Sequence, residues 1–460
     1  MPVDRTALPE VGRDPSFFFP RIERHRLANG MAVRTVEHRS APVVSFVLQV
    51  KGGSGADESG REGVTALTGD MLDEGTGELS AIDVSELLAR IGAEFDIEVG
   101  PDATTITLTT LARFADRGAG ALADLTMRPS LHQNDFARVR QMRLDRLRQI
   151  RDLPAALAER AFLKVLYGAH PYGHLSIGTI RSLDAMVVGD VERCHEALFQ
   201  PALATLVVVG DLPHAGLLAT AERAFGGWEA GAGEAGIEET TGAADVPVPL
   251  APSARLVVIP REHATQSHLR IGHLAARRGT PDYPALLVMN AALGGQFVSR
   301  INLKLREEKG YTYGARTGFD WRLGPSPFSL EASVDTNATA DAIADSLAEL
   351  SAIRGSRPAS EPELTLAKAT LTRGYPRSFE KAQQVARSVC QLVLYALPDS
   401  YFESFVPLVA GVSSEDVTRA AARHLDPTKF ATLIVGDQHA IEGSLGDLGL
   451  GDPIVLAPED

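Results

Sequence analysis

The sequence predicts an α+β protein built from two homologous halves, each a mixed β-sheet with helices packed on one face. The first observation is an internal repeat, in which residues 190–212 (DVERCHEALFQPALATLVVVGDL) align with residues 416–438 (DVTRAAARHLDPTKFATLIVGDQ). Each segment predicts a helix, a proline break and a buried strand that ends in Gly-Asp. The second observation is that apolar strand patterns begin each half, at 32–50 and 254–274, and long helical patterns follow them. This order is typical of a sheet covered by helices.

The repeat and the composition between its copies divide the chain into three segments. Residues 1–228 form the predicted first half and residues 251–460 the second. Residues 229–250 (EAGAGEAGIEETTGAADVPVPL) are rich in Gly, Ala and acid and low in aromatics, which is typical of a flexible linker. The identities that define the repeat are Asp190/Asp416, Val191/Val417, Arg193/Arg419, Pro201/Pro427, Gly210/Gly436 and Asp211/Asp437.

Composition excludes several classes of function. The 460 residues carry a formal net charge of −14, which argues against binding to nucleic acid or an anionic membrane and leaves open a preference for basic peptides. No apolar run is long enough to predict a membrane span. The start, MPVDRTALPEVGRDPSFFFPRIE, lacks a basic segment followed by an apolar core, so we expect a cytoplasmic protein, or a periplasmic one if a signal peptide has been removed. The two cysteines fit neither a disulfide framework nor a Cys-rich zinc site.

None of the 12 histidines belongs to a zinc-peptidase motif of the form HExxH or HxxEH. His170 and His174 lie in HPYGH, where Pro and Gly predict a loop, so a role in stabilising the turn is favoured over metal binding. His195-Glu196 begins like such a motif, but no second histidine follows at the required spacing. His263, His268 and His273 do not share one strand face and are predicted to be solvated or half-buried. The chain also lacks a Gly-x-Ser-x-Gly elbow and a phosphate-binding loop.

A short helix with an unfavourable interior is predicted within residues 63–77, GVTALTGDMLDEGTG. Glycines frame it at both ends, as helix stop signals do. Its interior contains small residues, Ala66 and Gly69 among them, and its last turn contains acids, Asp70 among them, where the helix dipole disfavours negative charge.

The segment 290–319, NAALGGQFVSRINLKLREEKGYTYGARTGF, predicts a turn, a helix and a strand in succession. Ser299 is a plausible N-cap for a helix that includes Arg306 and ends at Gly310, and Tyr313 starts the strand. In one interpretation Arg306 pairs with Glu308 or Glu331 and Tyr313 is a half-buried sheet aromatic.

The pattern SR…LREEKGYTYG closely resembles the second-half signature of the pitrilysin/insulinase family of zinc metallopeptidases, the inverzincins. The resemblance extends to LANGMAV (27–33), HPYG…GT near 170–179, LVVVGD and Gln266-Ser267. It implies that Arg306 and Tyr313 contact substrate at the scissile bond. The family's zinc helix has the form G-x-x-H-x-x-E-H-M-L-x-x-G-T, and residues 63–76 keep only its frame. Its two histidine positions hold Ala66 and Asp70, its glutamate position holds Gly69, and the position of its later glutamate ligand holds Arg146. The resemblance therefore implies no zinc in this chain.

These substitutions predict a non-catalytic subunit of a heterodimeric zinc peptidase. A homologous partner with an intact HxxEH would supply zinc and base, Tyr313 would donate a hydrogen bond to the oxyanion, and Arg306 would hold a carbonyl or carboxylate of an extended peptide. The alternative is a structural or assembly subunit of a larger complex without a peptidase role. A homodimeric peptidase is disfavoured because both chains would lack the metal. We further hypothesise that Asp70 and Arg146 form an ion pair where zinc would lie.

Overall fold

The computed structural model describes residues 18–229 and 242–457. Strands of the first half are β1 (Ile22–Arg26), β2 (Ala32–Glu37), β3 (Val43–Lys51), β4 (Gly75–Thr76), β5 (Leu79–Ser80), β6 (Glu94–Val99), β7 (Ala103–Leu111) and β8 (Ala204–Gly210). Its helices are α1 (Val64–Asp70), α2 (Ala81–Arg90), α3 (Ala115–Met127), α4 (Gln133–Ile150), α5 (Pro154–Tyr167), α6 (Ile180–Ala185), α7 (Val188–Leu198) and α8 (His214–Phe225).

The second half has a similar order of elements, without a counterpart of the β4–β5 hairpin. Its strands are β9 (Leu256–Pro260), β10 (Gln266–Leu274), β11 (Thr312–Phe319), β12 (Pro327–Asp335), β13 (Ala431–Gly436) and β14 (Ile454–Val455). Its helices are α9 (Tyr283–Leu293), α10 (Arg300–Asn302), α11 (Thr339–Ala352), α12 (Glu361–Thr372), α13 (Ala382–Leu394), α14 (Tyr401–Ala410), α15 (Ser414–His424) and α16 (Gln438–Leu445).

Each half contains a mixed six-stranded sheet, and five of the six strands occupy equivalent places when one strand order is read in reverse. The first sheet is β1-β2-β8-β3-β7-β6 and the second is β11-β12-β10-β13-β9-β14. The exceptions are the edge strands, β1, which is antiparallel to β2, and β14, which is parallel to β9. Strand β8 pairs in parallel with β2, and its counterpart β13 pairs in parallel with β9. The repeat found in the sequence corresponds to α7 and β8 in one half and to α15 and β13 in the other. The predicted fold class is therefore confirmed.

Each sheet is covered on its second face by a helix from the opposite half. Apolar residues of α13 in the second half pack against valines of β2, β3 and β8 in the first sheet. Reciprocally, apolar residues of α5 in the first half pack against β9 and β13 of the second sheet. The helices predicted on one face of each sheet therefore form only part of the core, because the other face is also covered. The central strands are apolar on both faces because both faces are buried.

A buried arginine joins the two halves at the HPYG turn. The Arg322 side chain packs against the rings of Tyr167 and Tyr172, with its Cζ atom 5.1 and 4.9 Å from their centroids. Its Nη1 donates to the Tyr172 carbonyl at 3.2 Å. The Tyr172 hydroxyl donates to Asp102, which also accepts from the Leu323 amide at 2.9 Å.

The predicted linker is described only in part. Residues 230–241 of it lie outside the described residues. In the described remainder, the Val246 carbonyl accepts a hydrogen bond from His170 Nε2 at 3.1 Å, and Ala243 and Val248 pack against the core around α5. His170 Nδ1 accepts from the Tyr172 amide at 3.0 Å, so His170 stabilises the turn as predicted. Within the described residues, no helix has the length and hydrophobicity needed to cross a membrane.

Candidate functional site

Helix α1, which bears the altered zinc-site positions, is held by buried neighbours at its N-terminus. It spans Val64–Asp70 and follows Gly63, whose φ is 94°. A Cβ on Gly63 would lie 2.8 Å from the Cα of Gly178, so the two backbones touch. The carboxylate of Asp57 accepts from the amides of Gly63 (2.6 Å) and Thr65 (2.9 Å) and thus caps the helix. Burial raises the pKa of Asp57, and the hydrogen bonds from Thr65 oppose that rise.

The small residues of α1 are buried against strand β6. Ala66 is 6% exposed, and Gly69 is also buried. A Cβ on Gly69 would lie 3.2 Å from Ile97 Cγ2 and 3.5 Å from Val99 Cγ2. The helix therefore packs against the edge strand of the first sheet, and Gly69 leaves room for that contact.

The hypothesised ion pair between Asp70 and Arg146 is wrong. The Asp70 carboxylate instead pairs with Arg143, whose Nη2 also donates to the Ser176 carbonyl at 3.2 Å. Arg143 lies one helical turn from each of the buried Val139 and Leu147 and therefore faces α1. Arg146 points to solvent instead. A second pair, Glu74 with Arg138, runs between the same segments, so arginines of α4 offset the acids at the end of α1.

These residues do not fit a zinc ion. Ala66 and Gly69 offer no ligand atom, Asp70 offers one carboxylate that Arg143 already engages, and the cations of α4 repel a dication. Within residues 18–229 and 242–457, no group of three or more His, Cys, Asp or Glu side chains is placed to hold a metal ion.

Arg306 lies on a π-helical turn, Leu303–Glu308, which continues α10. Such turns occur frequently at functional sites. Its guanidinium Cζ lies 4.3 Å above the centre of the Phe297 ring, and its Nε is 3.4 Å from Glu307. The alternative pairing with Glu308 or Glu331 is wrong, because those carboxylates bind Lys304 and Arg316. Ser299 precedes α10 as predicted, but its buried hydroxyl has no hydrogen-bond partner in the described residues and makes no cap.

Tyr313 is 89% exposed at the start of β11, the edge strand of the second sheet. The interpretation of Tyr313 as a half-buried aromatic is therefore wrong. The pairing of β11 with β12 is interrupted between Thr312 and Ala315. Thr312 Oγ1 accepts from the Gly314 amide at 3.1 Å, and Asn302 Oδ1 accepts from the Ala315 amide at 2.9 Å. This bulge presents Tyr313 to solvent, as bulges at functional edges commonly do.

A cavity of about 520 Å³ lies beside Tyr313, and the Phe297 side chain links this cavity to Arg306. Phe297 and Tyr313 both line it, and Arg306 stacks on the Phe297 ring. Its floor includes His268 and Glu331. The expectation that the histidines of β10 are solvated or half-buried is wrong for His268 and His273, which are 7% and 3% exposed. No role was predicted for Phe297, although a lone aromatic between a Gly-Gly turn and a helix was a usable signal.

The site thus consists of one helix whose metal ligands are replaced and one exposed tyrosine beside an arginine. Strands β6 and β11, which flank these two features, occupy equivalent edges of the two sheets. Hydrogen-bond donors without metal ligands suit the binding and polarisation of a peptide, and they do not by themselves generate a nucleophile. The fold and the site together fit a metallopeptidase scaffold, and the positions that the resemblance assigns to the metal ligands hold Ala66, Asp70 and Arg146.

Comparisons with known proteins agree with that class. The family model described as Insulinase (Peptidase family M16) matches residues 32–179, and the model described as Peptidase M16 inactive domain matches residues 186–371. The two matches together span most of the chain, which belongs to the insulinase (M16) peptidase family.

Relatives and solved structures include both proteases and a non-peptidase. An uncharacterized zinc protease of Mycobacterium tuberculosis (strain H37Rv) is 24% identical over 371 residues, which are 80% of this chain and 82% of that protein. The non-peptidase homolog YmxG of Helicobacter pylori is 24% identical over 176 residues, 38% of this chain and 41% of that protein. The crystal structure of a peptidase M16 inactive domain from Pseudomonas fluorescens superposes with a TM-score of 0.83 at 24% identity, covering 91% of this chain and 98% of that one.

Proposed function

We propose that this chain is the non-catalytic subunit of a two-chain zinc peptidase, in which Arg306 and Tyr313 bind substrate opposite the zinc site of a homologous partner. The observation that carries the proposal is the 89% exposure of Tyr313 beside a cavity and an unpaired strand edge. An aromatic side chain that served only the core would be buried. The partner would carry the intact HxxEH motif and supply zinc, water and base.

Each residue has a distinct role in this proposal, and the geometry supports both roles. The Tyr313 hydroxyl has no hydrogen-bond partner among the described residues and is free to donate to the oxyanion that develops at the scissile carbonyl. Arg306 is held by the Phe297 ring, so its guanidinium stays oriented while it binds a substrate carbonyl or carboxylate. An extended peptide would add to the free edge of β11 by main-chain hydrogen bonds.

The test mixes this chain with a homologous HxxEH-bearing subunit and measures cleavage of unstructured peptides. We expect no cleavage by this chain alone and cleavage by the pair. Tyr313→Phe should lower kcat about 100-fold, the usual effect of removing one oxyanion donor. Arg306→Ala should lower kcat/KM, because it removes a group that holds the substrate, and the zinc content of the partner should be unchanged in both variants. The matched controls are Tyr311→Phe, which alters a tyrosine packed on the core, and Lys304→Ala, which removes another cation of the same helix.

A structural or assembly subunit is the second candidate. It is favoured by one observation, the similarity to a relative described as a non-peptidase homolog. In that case the pair would cleave peptides equally well with either substitution, or this chain would join a complex without changing peptide cleavage at all. Either result would refute the proposed catalytic partnership.

A further inference from the structure

The cavity beside Tyr313 contains a buried histidine that nothing in the proposed function uses. His268 lies on β10, and its side chain is 8% exposed. Its Nδ1 is 3.0 Å from the Ser333 hydroxyl, and its Nε2 has no hydrogen-bond partner within the described residues. Leaving a buried polar atom unpaired costs about 1–3 kcal/mol, so such an atom at a cavity wall is available to a polar ligand.

The negative charge of Glu331 favours the tautomer of His268 in which Nε2 carries the proton and Nδ1 accepts from the Ser333 hydroxyl. Glu331 Oε1 lies 3.7 Å away, which favours a proton on Nε2 while remaining beyond hydrogen-bond distance. The other oxygen of Glu331 is engaged by Arg316 at 2.9 Å and lies 3.6 Å from Arg270. Burial raises the pKa of Glu331, but these arginines more than offset it and hold the pKa below its usual value. Glu331 is therefore ionised, and its charged partners are Arg316 and Arg270.

Arg316 supplies a second free donor at the same cavity. Its side chain is 77% exposed, and its Nε and Nη2 both bind Glu331 Oε2. Within residues 18–229 and 242–457, its Nη1 has no acceptor. The exposed rings of Phe297 and Tyr313 line the same cavity and provide apolar surface for an aliphatic stem. A carboxylate can satisfy two donors at once, and the apolar walls suit the aliphatic stem that carries it.

We propose that this cavity is a subsite for a carboxylate of an extended peptide, bound by His268 Nε2 and Arg316 Nη1. The inference rests on the proposed function, since it assigns the substrate class recognised beside Tyr313. The carboxylate comes either from an acidic side chain or from the peptide's C-terminus, and both have the same acceptor geometry. These two donors set a local preference for a carboxylate, although the chain as a whole carries a net negative charge.

The experiment measures binding of four labelled peptides to this chain alone by fluorescence anisotropy. The four peptides share one neutral extended sequence and form two pairs. The first pair carries a glutamate or a glutamine at one position, and the second pair carries a free C-terminus or a C-terminal amide. We expect the glutamate peptide, the free-acid peptide or both to bind at least tenfold more tightly than the neutral counterpart. The pair that discriminates identifies the source of the carboxylate.

Substitutions separate recognition from a structural role. His268→Phe and Arg316→Gln should each lower the discrimination about tenfold. Glu331→Gln should strengthen binding of the carboxylate, because it removes a negative charge and releases Arg316, whereas a purely structural contact could only be weakened. Arg223→Gln is the matched control, since it alters an exposed arginine paired with Asp116 in the first half. Thermal unfolding of each variant verifies the fold, and Arg316→Gln, at an exposed position, tests the subsite if His268→Phe does not fold.

Equal affinities within both peptide pairs, no binding of any of the four, or unchanged discrimination in Arg316→Gln would overturn the subsite. These failures differ from failure of the proposed function. If Arg306→Ala and Tyr313→Phe leave cleavage by the pair intact while the peptides are discriminated, the catalytic partnership is wrong and the carboxylate subsite remains. If cleavage depends on both residues but the peptides bind equally, only the subsite is wrong.

Discussion

The buried arginine at the junction of the halves gives the sharpest stability prediction. Arg322→Met keeps the length of the side chain but removes the guanidinium. The lost hydrogen bond leaves the Tyr172 carbonyl without its charged donor, which costs about 1.5–3 kcal/mol. Loss of the contacts with the Tyr167 and Tyr172 rings costs about 0.5–1 kcal/mol each. The pair with Asp320, which is 56% exposed, contributes about 1 kcal/mol at most.

Because methionine recovers part of the packing, we expect a net loss of about 3 kcal/mol in the free energy of unfolding. Urea denaturation followed by circular dichroism and by tryptophan fluorescence measures it, and Trp321 is the adjacent residue in the chain. Arg90→Met is the matched control, because its pair with Glu86 is exposed on both sides and its removal should cost less than about 0.5 kcal/mol. A loss below about 1 kcal/mol for Arg322→Met would refute the claim that this residue joins the halves.

Three further predictions concern Asp70 and Gly178 in the first half and His273 in the second half. Asp70→Asn should cost less than about 1 kcal/mol of unfolding free energy, because the pair with Arg143 has a half-exposed carboxylate. Gly178→Ala should cost at least about 2 kcal/mol, because its φ is 80° and a Cβ would lie 2.3 Å from the Glu62 carbonyl oxygen. Burial lowers the pKa of His273 to about 4 in the folded protein, whereas a histidine in the unfolded chain has a pKa near 6.5. At a pH between these two values, unfolding therefore takes up a proton. The wild type should therefore lose about 2 kcal/mol between about pH 6.5 and 5, and His273→Phe should lose correspondingly less.

Each of these predictions has a control in the same chain. Arg146→Ala should leave the free energy of unfolding within about 0.5 kcal/mol, and a larger loss would revive the pairing of Arg146 with Asp70. Gly60→Ala adds a Cβ at φ 82° with nothing within 4 Å, so it isolates the backbone penalty of about 1–2 kcal/mol. If it costs as much as Gly178→Ala, the close contact is not the cause. His439→Phe alters an exposed histidine and should keep the pH dependence of the wild type.

The sequence predicted the elements of the site better than their contacts. Helix α1 was expected within residues 63–77, and Tyr313 was expected at the start of a strand, because glycines and alternating residues mark such boundaries locally. The partner of Asp70 was misassigned to Arg146 because a count of positions along α4 does not reveal which face of the helix meets α1. The buried Val139 and Leu147 determine that face, and they place Arg143 there.

The same limit applies to the second half. Spacing along the sequence placed Arg306 and Tyr313 on neighbouring elements, but the ring that orients Arg306 belongs to Phe297, in the preceding turn. The bulge after Thr312 depends on an amide bonded to Asn302, which lies on a different element. Exposure of Tyr313 results from that contact, so an alternating strand pattern could not predict it.

The sequence alone determined that the chain has two equivalent halves, and it predicted that one keeps the frame of a zinc helix without its ligands and that the other keeps an arginine and a tyrosine. These properties are local, since residue identity and spacing carry them. Only the tertiary structure decided that α5 and α13 each cover the sheet of the opposite half, that Arg143 pairs with Asp70, and that His268, Glu331 and Arg316 meet at one cavity. The reason is physical: strand pairing and helix docking join residues far apart in the chain, and burial then selects which of the available charges pair.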